Sequence, residues 1–266
     1  MNVQTGHRSR IGSRWWRAVS LIAGVALCAT ASAVAWDASQ PASADHGATG
    51  VQGIGVSQAH GTVDWGAVRG AGIQFAVISA TMGTNQKDPA FNTNYPAAYY
   101  AGVIRGAYHF AIPSASGGAA QADYFASNGG AWSADDLTLP GVLGLEPNPY
   151  SGGYCYGLTT TQMRGWITDF YNRYKERTSR DPIIYTTRSW WNVCTGSWTG
   201  MAAKSPLWIS HWDVHTPGLP AGWASTTWTF WEWTNCRQVA GVPACANGSR
   251  FNGSRDRLLA LANNTP

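Results

Sequence analysis

Apolar residues along the 266-residue chain fall into two rhythms. Seven short runs have the length and composition of buried strands: GIGVS (53–57), FAVISAT (75–81), VIRGAYHFA (103–111), GVLGLE (141–146), PIIYTT (182–187), PLWISHW (206–212) and WTFWEWT (228–234). Between the early runs, Asp64 to Gly70, Asp88 to Ala101 and Gly118 to Ser127 read as helices. The clearest helix follows Thr159 or Thr160, either of which can cap it. It carries Met163, Trp166, Ile167, Phe170, Tyr171 and Tyr174 at helical spacing, with charges on the other face. Those aromatics are expected in the core. Alternation of strand and helix predicts a parallel sheet, and near-continuous apolar strands predict one buried on both faces. No G-x-G-x-x-G follows the first run, so a dinucleotide-binding open sheet loses its main support. The pattern therefore predicts an α/β fold, a closed TIM-like β/α barrel. Its last two or three runs lack long intervening helices, so the final part of the barrel is expected to be antiparallel.

The amino-terminal stretch stands apart from this pattern. Arg8, Arg10, Arg14 and Arg17 precede the apolar segment AVSLIAGVALCATASAVAW, and Ala42-Ser43-Ala44 offers an A-x-A cleavage site. The segment nearly reaches membrane-spanning length, but its small residues and the cleavage site favour a removed leader over an anchor. The expected organisation is a signal peptide over 1–44, a short segment over 45–50 and one barrel domain over 51–266. Removing the leader takes four Arg and Asp37 from the 18 basic and 14 acidic side chains, which leaves 14 against 13. A net charge of +1 gives no argument for nucleic acid, and no membrane contact is expected after cleavage. Cys155, Cys194, Cys236 and Cys245 form an even set without metal-type spacing, in keeping with a secreted, extracellular protein. Three pairings are possible; Cys236 with Cys245 closes a short loop, which favours that pair together with Cys155 and Cys194. No surface seam suggests self-association, so a monomer is expected.

In a β/α barrel, chemistry belongs at the carboxyl ends of the strands. There the sequence places Tyr108 and His109, Glu146, Tyr185, His211 and Trp212, then Trp231 and Glu232. Glu146 closes the run LPGVLGLE, and Gly144, two residues earlier and on the same strand face, is where a second acid would complete a carboxylate pair. The chain has 15 Trp, whose indole faces stack well on sugar rings. Most are expected in the core, with Trp212, Trp231 and Trp233 the better candidates for a glycan groove. His109 and His211 are expected to serve as core or hydrogen-bonding groups, and no metal or cofactor is expected.

The ordered motifs GIGVSQAHGTVDW, FAVISATMGT, LPGVLGLEPNP, CYGLTTTQMRGWITDF, IIYTTRSWWNVCTG, PLWISHW, FWEW and RFNGS resemble the secreted lysozymes, or N-acetylmuramidases, of glycoside hydrolase family 25. The resemblance spans roughly residues 51 to 262. It implies a barrel of five β/α units plus three further strands, bacterial peptidoglycan as partner and substrate, and a Cys155–Cys194 disulfide. The departures fall on acids. Gly55 stands in the family's G-I-D-V-S, Ser79 and Met82 in its K-A-T-E-G, Gly144 in its D-L-E, and Asn247 where an Asp precedes the F-N-G segment. Glu146 alone is carried over.

The resemblance implies hydrolysis of the bond between N-acetylmuramic acid and N-acetylglucosamine, assisted by the sugar's own acetamido oxygen. Glu146 would be the acid/base, with Tyr108, Tyr185, Trp212, Trp231 and Glu232 as substrate contacts. Glu232 occupies a position where the family pattern F-W-Q-Y has Gln, which raises the question whether it compensates for the lost acids. Without a charged neighbour, Glu146 is expected to lose one cause of a raised pKa and to be a poorer proton donor near neutrality. Two readings follow: a slowed or altered muramidase, or a barrel that binds peptidoglycan without cutting it.

Overall fold

A computed structural model describes residues 50–223 and 228–265; the expected signal peptide and cleavage site lie outside the described residues. The strands are β1 (Val51–Val56), β2 (Phe75–Met82), β3 (Gln86–Lys87), β4 (Ile104–Phe110), β5 (Val142–Leu145), β6 (Ile183–Thr186), β7 (Leu207–Ser210), β8 (Phe230–Arg237) and β9 (Ala246–Phe251). β3 is only the return arm of a hairpin with β2; the others close into a barrel through the β1–β2 and β1–β9 pairings. The helices are α1 (Trp65–Gly70), α2 (Phe91–Tyr100), α3 (Gly118–Phe125), α4 (Thr160–Thr178), α5 (Arg188–Thr195) and α6 (Arg255–Asn263). Units β1-α1, β2-α2, β4-α3, β5-α4 and β6-α5 precede β7, β8 and β9, so five β/α units plus three strands are found as expected. One detail differs. β8 runs parallel to β7, and the antiparallel part is confined to β9, which pairs with both β8 and β1.

Local chemistry accounts for the elements. Thr159 caps α4 in a capping box with Gln162, and Lys175 and Arg177 sit in the last turn, where the helix dipole favours cations. Alternate strand residues then divide between two cores. Phe75, Ile104, Val142, Ile183, Tyr185, Trp208, Phe230 and Phe251 fill the barrel. Ile78, Leu143, Ile184, Ile209 and Trp231 face outward, in a cluster that includes Ala122, Ile167 and Phe170 from the helices. Each large side chain so buried contributes roughly 1.5 to 3 kcal/mol. The Cys155–Cys194 disulfide ties the connection between β5 and α4 to α5, and Cys236–Cys245 closes the turn between β8 and β9. Among the described residues no helix is long and apolar enough to cross a membrane.

His109, one of the sequence candidates, belongs to the outer core. It is fully buried, its Nδ1 lies 2.7 Å from the Thr81 hydroxyl and its Nε2 3.0 Å from Gln121 Oε1. Its ring centre lies 5.4 Å from that of Phe170 in a stacked pair. Burial lowers its pKa from 6.5 to about 4, against the opposing effect of Gln121. The unfolded chain takes up this proton at higher pH than the folded one, so stability present above pH 6.5 is lost as pH falls toward 4. About 3 kcal/mol should disappear across that window. Urea unfolding at stepped pH should show this slope in the wild type, and a markedly weaker slope in His109→Asn.

Candidate active site

β5 delivers Glu146 to the barrel mouth one residue beyond its last paired position, Leu145. The inward residues of neighbouring strands converge there. Tyr108 on β4 donates its hydroxyl hydrogen to Glu146 Oε1 in a short bond, and Tyr185 on β6 packs edge-on against Tyr108 with ring centres 5.7 Å apart. Gly144 is what lets Tyr108 take this pose. A Cβ built at 144 would lie 1.8 Å from the Tyr108 hydroxyl oxygen, so any side chain there requires the tyrosine to move. Gly55 is different: its nearest neighbour would be Asn247 Cβ at 3.5 Å, ordinary contact.

Glu146 is half-buried at this end of the barrel. Burial raises its pKa from 4.5 to about 7, the Tyr108 hydroxyl pulls it down, and the charge of Glu232 pushes it up. This runs against the expectation of a lowered pKa. Desolvation alone is the largest cause, and a carboxylate neighbour is present after all, supplied by β8 rather than by position 144.

Glu232 is 4% exposed and points inward from β8. Its Oε1 accepts from the Tyr185 hydroxyl at 3.0 Å, the Ser210 hydroxyl at 3.1 Å and the Trp212 indole N–H at 2.8 Å. Its Oε2 accepts from the Asn247 amide at 2.9 Å. The structure thus brings together five of the six sequence candidates: Glu146, Tyr108, Tyr185, Trp212 and Glu232. It also adds Ser210 and Asn247 as partners of Glu232. Ser210 was open to inference, since it lies two residues before Trp212 and opposite Glu232 in the strand register.

Trp231 requires correction as a substrate contact. It is adjacent to Glu232 on one strand, so the two side chains face opposite sides of the sheet. Trp231 is 2% exposed, donates its indole N–H to the His211 carbonyl at 2.7 Å, and lies under the Arg250 guanidinium at 4.3 Å. Tyr185 is also buried and meets the site through its hydroxyl rather than its ring face. Trp212, 40% exposed, is the candidate that retains an open indole. His211 is exposed, with its Nδ1 accepting from the Gly218 N–H at 2.9 Å. Met82 is buried, and its sulfur accepts a 3.3 Å contact from the Tyr150 hydroxyl.

Comparison with known proteins agrees with this architecture. The family model for glycosyl hydrolases family 25 matches residues 54–242. Lysozyme M1 of Streptomyces globisporus is 62% identical over 217 residues, covering 82% of this chain and 73% of that protein. The N,O-diacetylmuramidase of Chalaropsis sp is 39% identical over 216 residues, covering 80% of this chain and 99% of that one. Among solved structures, the bacterial lysozyme from Streptomyces coelicolor superposes with a TM-score of 0.80 at 61% identity, covering 82% of this chain and 99% of that one. A family 25 lysozyme from Aspergillus fumigatus gives 0.75 at 44% identity, covering 80% and 99%.

The Tyr108 hydroxyl stabilises ionised Glu146, so its removal should raise the carboxyl's pKa above about 7. In Tyr108→Phe, a carbon-13 titration of the Glu146 carboxyl should move upward by about one unit.

Proposed function

This chain belongs to glycosyl hydrolases family 25, and we propose that it works at the barrel mouth as a peptidoglycan muramidase of reduced rate. The bond cleaved is the one between N-acetylmuramic acid and N-acetylglucosamine. The observation that carries the reading is Glu146 itself, a carboxyl with a pKa of about 7 set at the carboxyl end of β5 and bonded to Tyr108. Near neutrality a large fraction of such a group is protonated, which is the state a general acid needs. Two disulfides suit a secreted protein acting outside the cell.

Glu146 gives its proton to the glycosidic oxygen as that bond breaks. The acetamido oxygen of the muramic acid attacks the anomeric carbon and closes a cyclic intermediate, in the manner of substrate-assisted glycosidases. Glu146, now ionised, takes a proton from the water that opens the ring and is ready again. No protein nucleophile is required, so the glycine at 144 does not remove a reactant. It removes a charged group that could orient the acetamido nitrogen and offset the developing positive charge, an effect worth about 10² to 10³ in rate.

Tyr108 favours a second reading. Its hydroxyl fills the space beside Gly144 and engages Glu146, so a sugar reaching that acid has to displace it. If that displacement does not occur, the barrel binds peptidoglycan without cutting it.

Release of reducing ends from purified cell walls, measured beside wall pull-down, separates the two readings. Release that falls by at least about 10³ in Glu146→Gln while binding persists is the expected result. The rate should fall above about pH 7 as Glu146 loses its proton. Gly144→Asp should raise the rate about 10²-fold once Tyr108 swings aside. Wall binding with no release by the wild type would sink the muramidase reading.

A further inference from the structure

The two inward carboxylates of the mouth have different surroundings, and the difference assigns them different work. Glu146 accepts one hydrogen bond, from Tyr108. Glu232 accepts four, from Tyr185, Ser210, Trp212 and Asn247. An indole N–H can only donate, and the Asn247 amide presents its NH₂ to the other oxygen, so both oxygens of Glu232 face donors. Burial raises the pKa of both carboxyls, but four donors hold the ionised form of Glu232 against it and only one holds that of Glu146. The ionisable groups facing the pair are Tyr108 on β4, Tyr185 on β6 and Tyr156 in the connection after β5, all neutral near pH 7.

We infer that Glu232 is the fixed anion of this site, a positioning residue that keeps the proton on Glu146 and holds the Trp212 indole at the rim of the mouth. For its part in turnover the inference rests on the muramidase reading; its effect on Glu146 does not. A negative charge within Coulombic reach disfavours a second one, so Glu146 retains its proton to higher pH than it would without Glu232. This division, with one carboxyl protonated in an apolar setting and its partner ionised among donors, is how paired acids acquire separate roles. The bond to Trp212 adds a second effect. The indole is 40% exposed, and its N–H is anchored to Glu232, so the same carboxylate fixes the orientation of a ring that a sugar can stack on.

Carbon-13 carboxyl titration reads this directly. In the wild type Glu232 should lose its proton at lower pH than Glu146; the reverse order overturns the inference without any variant. Glu232→Gln keeps an acceptor for the indole and removes the charge. It should lower the Glu146 titration by about one unit, a tenfold change in proton affinity, with KM little altered. Glu232→Ala should also raise KM about tenfold, because Trp212 loses its anchor. The exchange Glu232→Gln with Asn247→Asp moves the charge across a single 2.9 Å hydrogen bond and should return the Glu146 titration toward its wild-type position. An unchanged Glu146 titration in Glu232→Gln overturns the proposal. A wild type without turnover but with the shifted titration would instead fault the muramidase reading alone.

Discussion

β9 is the constraint on which the rest of the site depends. It enters antiparallel between β8 and β1, and without it the sheet would be open between those two strands. Closure sets the register in which Asn247 lies beside Gly55 on one side and reaches Glu232 on the other. It also converts alternation along each strand into an inside and an outside. Glu232, Ser210, Tyr185 and Tyr108 meet because they occupy inward positions on successive strands, and Trp231 is excluded because it does not. A one-residue slip of β8 would exchange Glu232 for an indole in the mouth.

That geometry explains what could be read from the sequence and what could not. Strands filled by β-branched and apolar residues announced themselves, as did α4 with its capped, one-sided aromatic stripe. β9 did not, because ANGSRF carries polar or small residues on both faces; Asn247 donates to Glu232, Ser249 is buried opposite Glu232 in the register, and Arg250 stacks on Trp231. Its β-character comes from closing the barrel rather than from its own composition. Helices α5 and α6 are short; α5 still buries Trp190, Trp191 and Cys194 at helical spacing, whereas α6 buries only Leu258 and Ala262. Trp231 marks a different limit: nearness to a strand end is not exposure, and strict alternation with the inward Glu232 turns its side chain to the outer face.

The acid–base character of Glu146 could not be read from a motif, because it arises from burial. Counting absent carboxylates predicts a group that ionises easily; enclosing that group among Tyr108, Tyr185 and the barrel wall reverses the sign. Desolvation acts on whatever carboxyl occupies this position, whereas a charge partner has to be supplied by a particular residue. The chain retains the first effect through its fold and receives the second from β8.

The uncharged residues at 55, 144 and 247 also bear on the energetics of the resting barrel. Carboxylates at 55, 144 and 247, where the resemblance leads one to expect them, would crowd a partly desolvated space that already holds Glu146 and Glu232. Like charges there cost stability, and exchanging them for glycine and asparagine relieves the repulsion. The amide at 247 goes further, because it donates to Glu232 where a carboxylate would repel it. Position 144 shows the same logic in packing: removal of a side chain admits the Tyr108 hydroxyl, which satisfies Glu146 in the absence of substrate. Uncharged residues at these positions quiet the unliganded site. Carboxylates there would instead be preorganised charge favouring the transition state, and natural active sites generally trade these two quantities against each other.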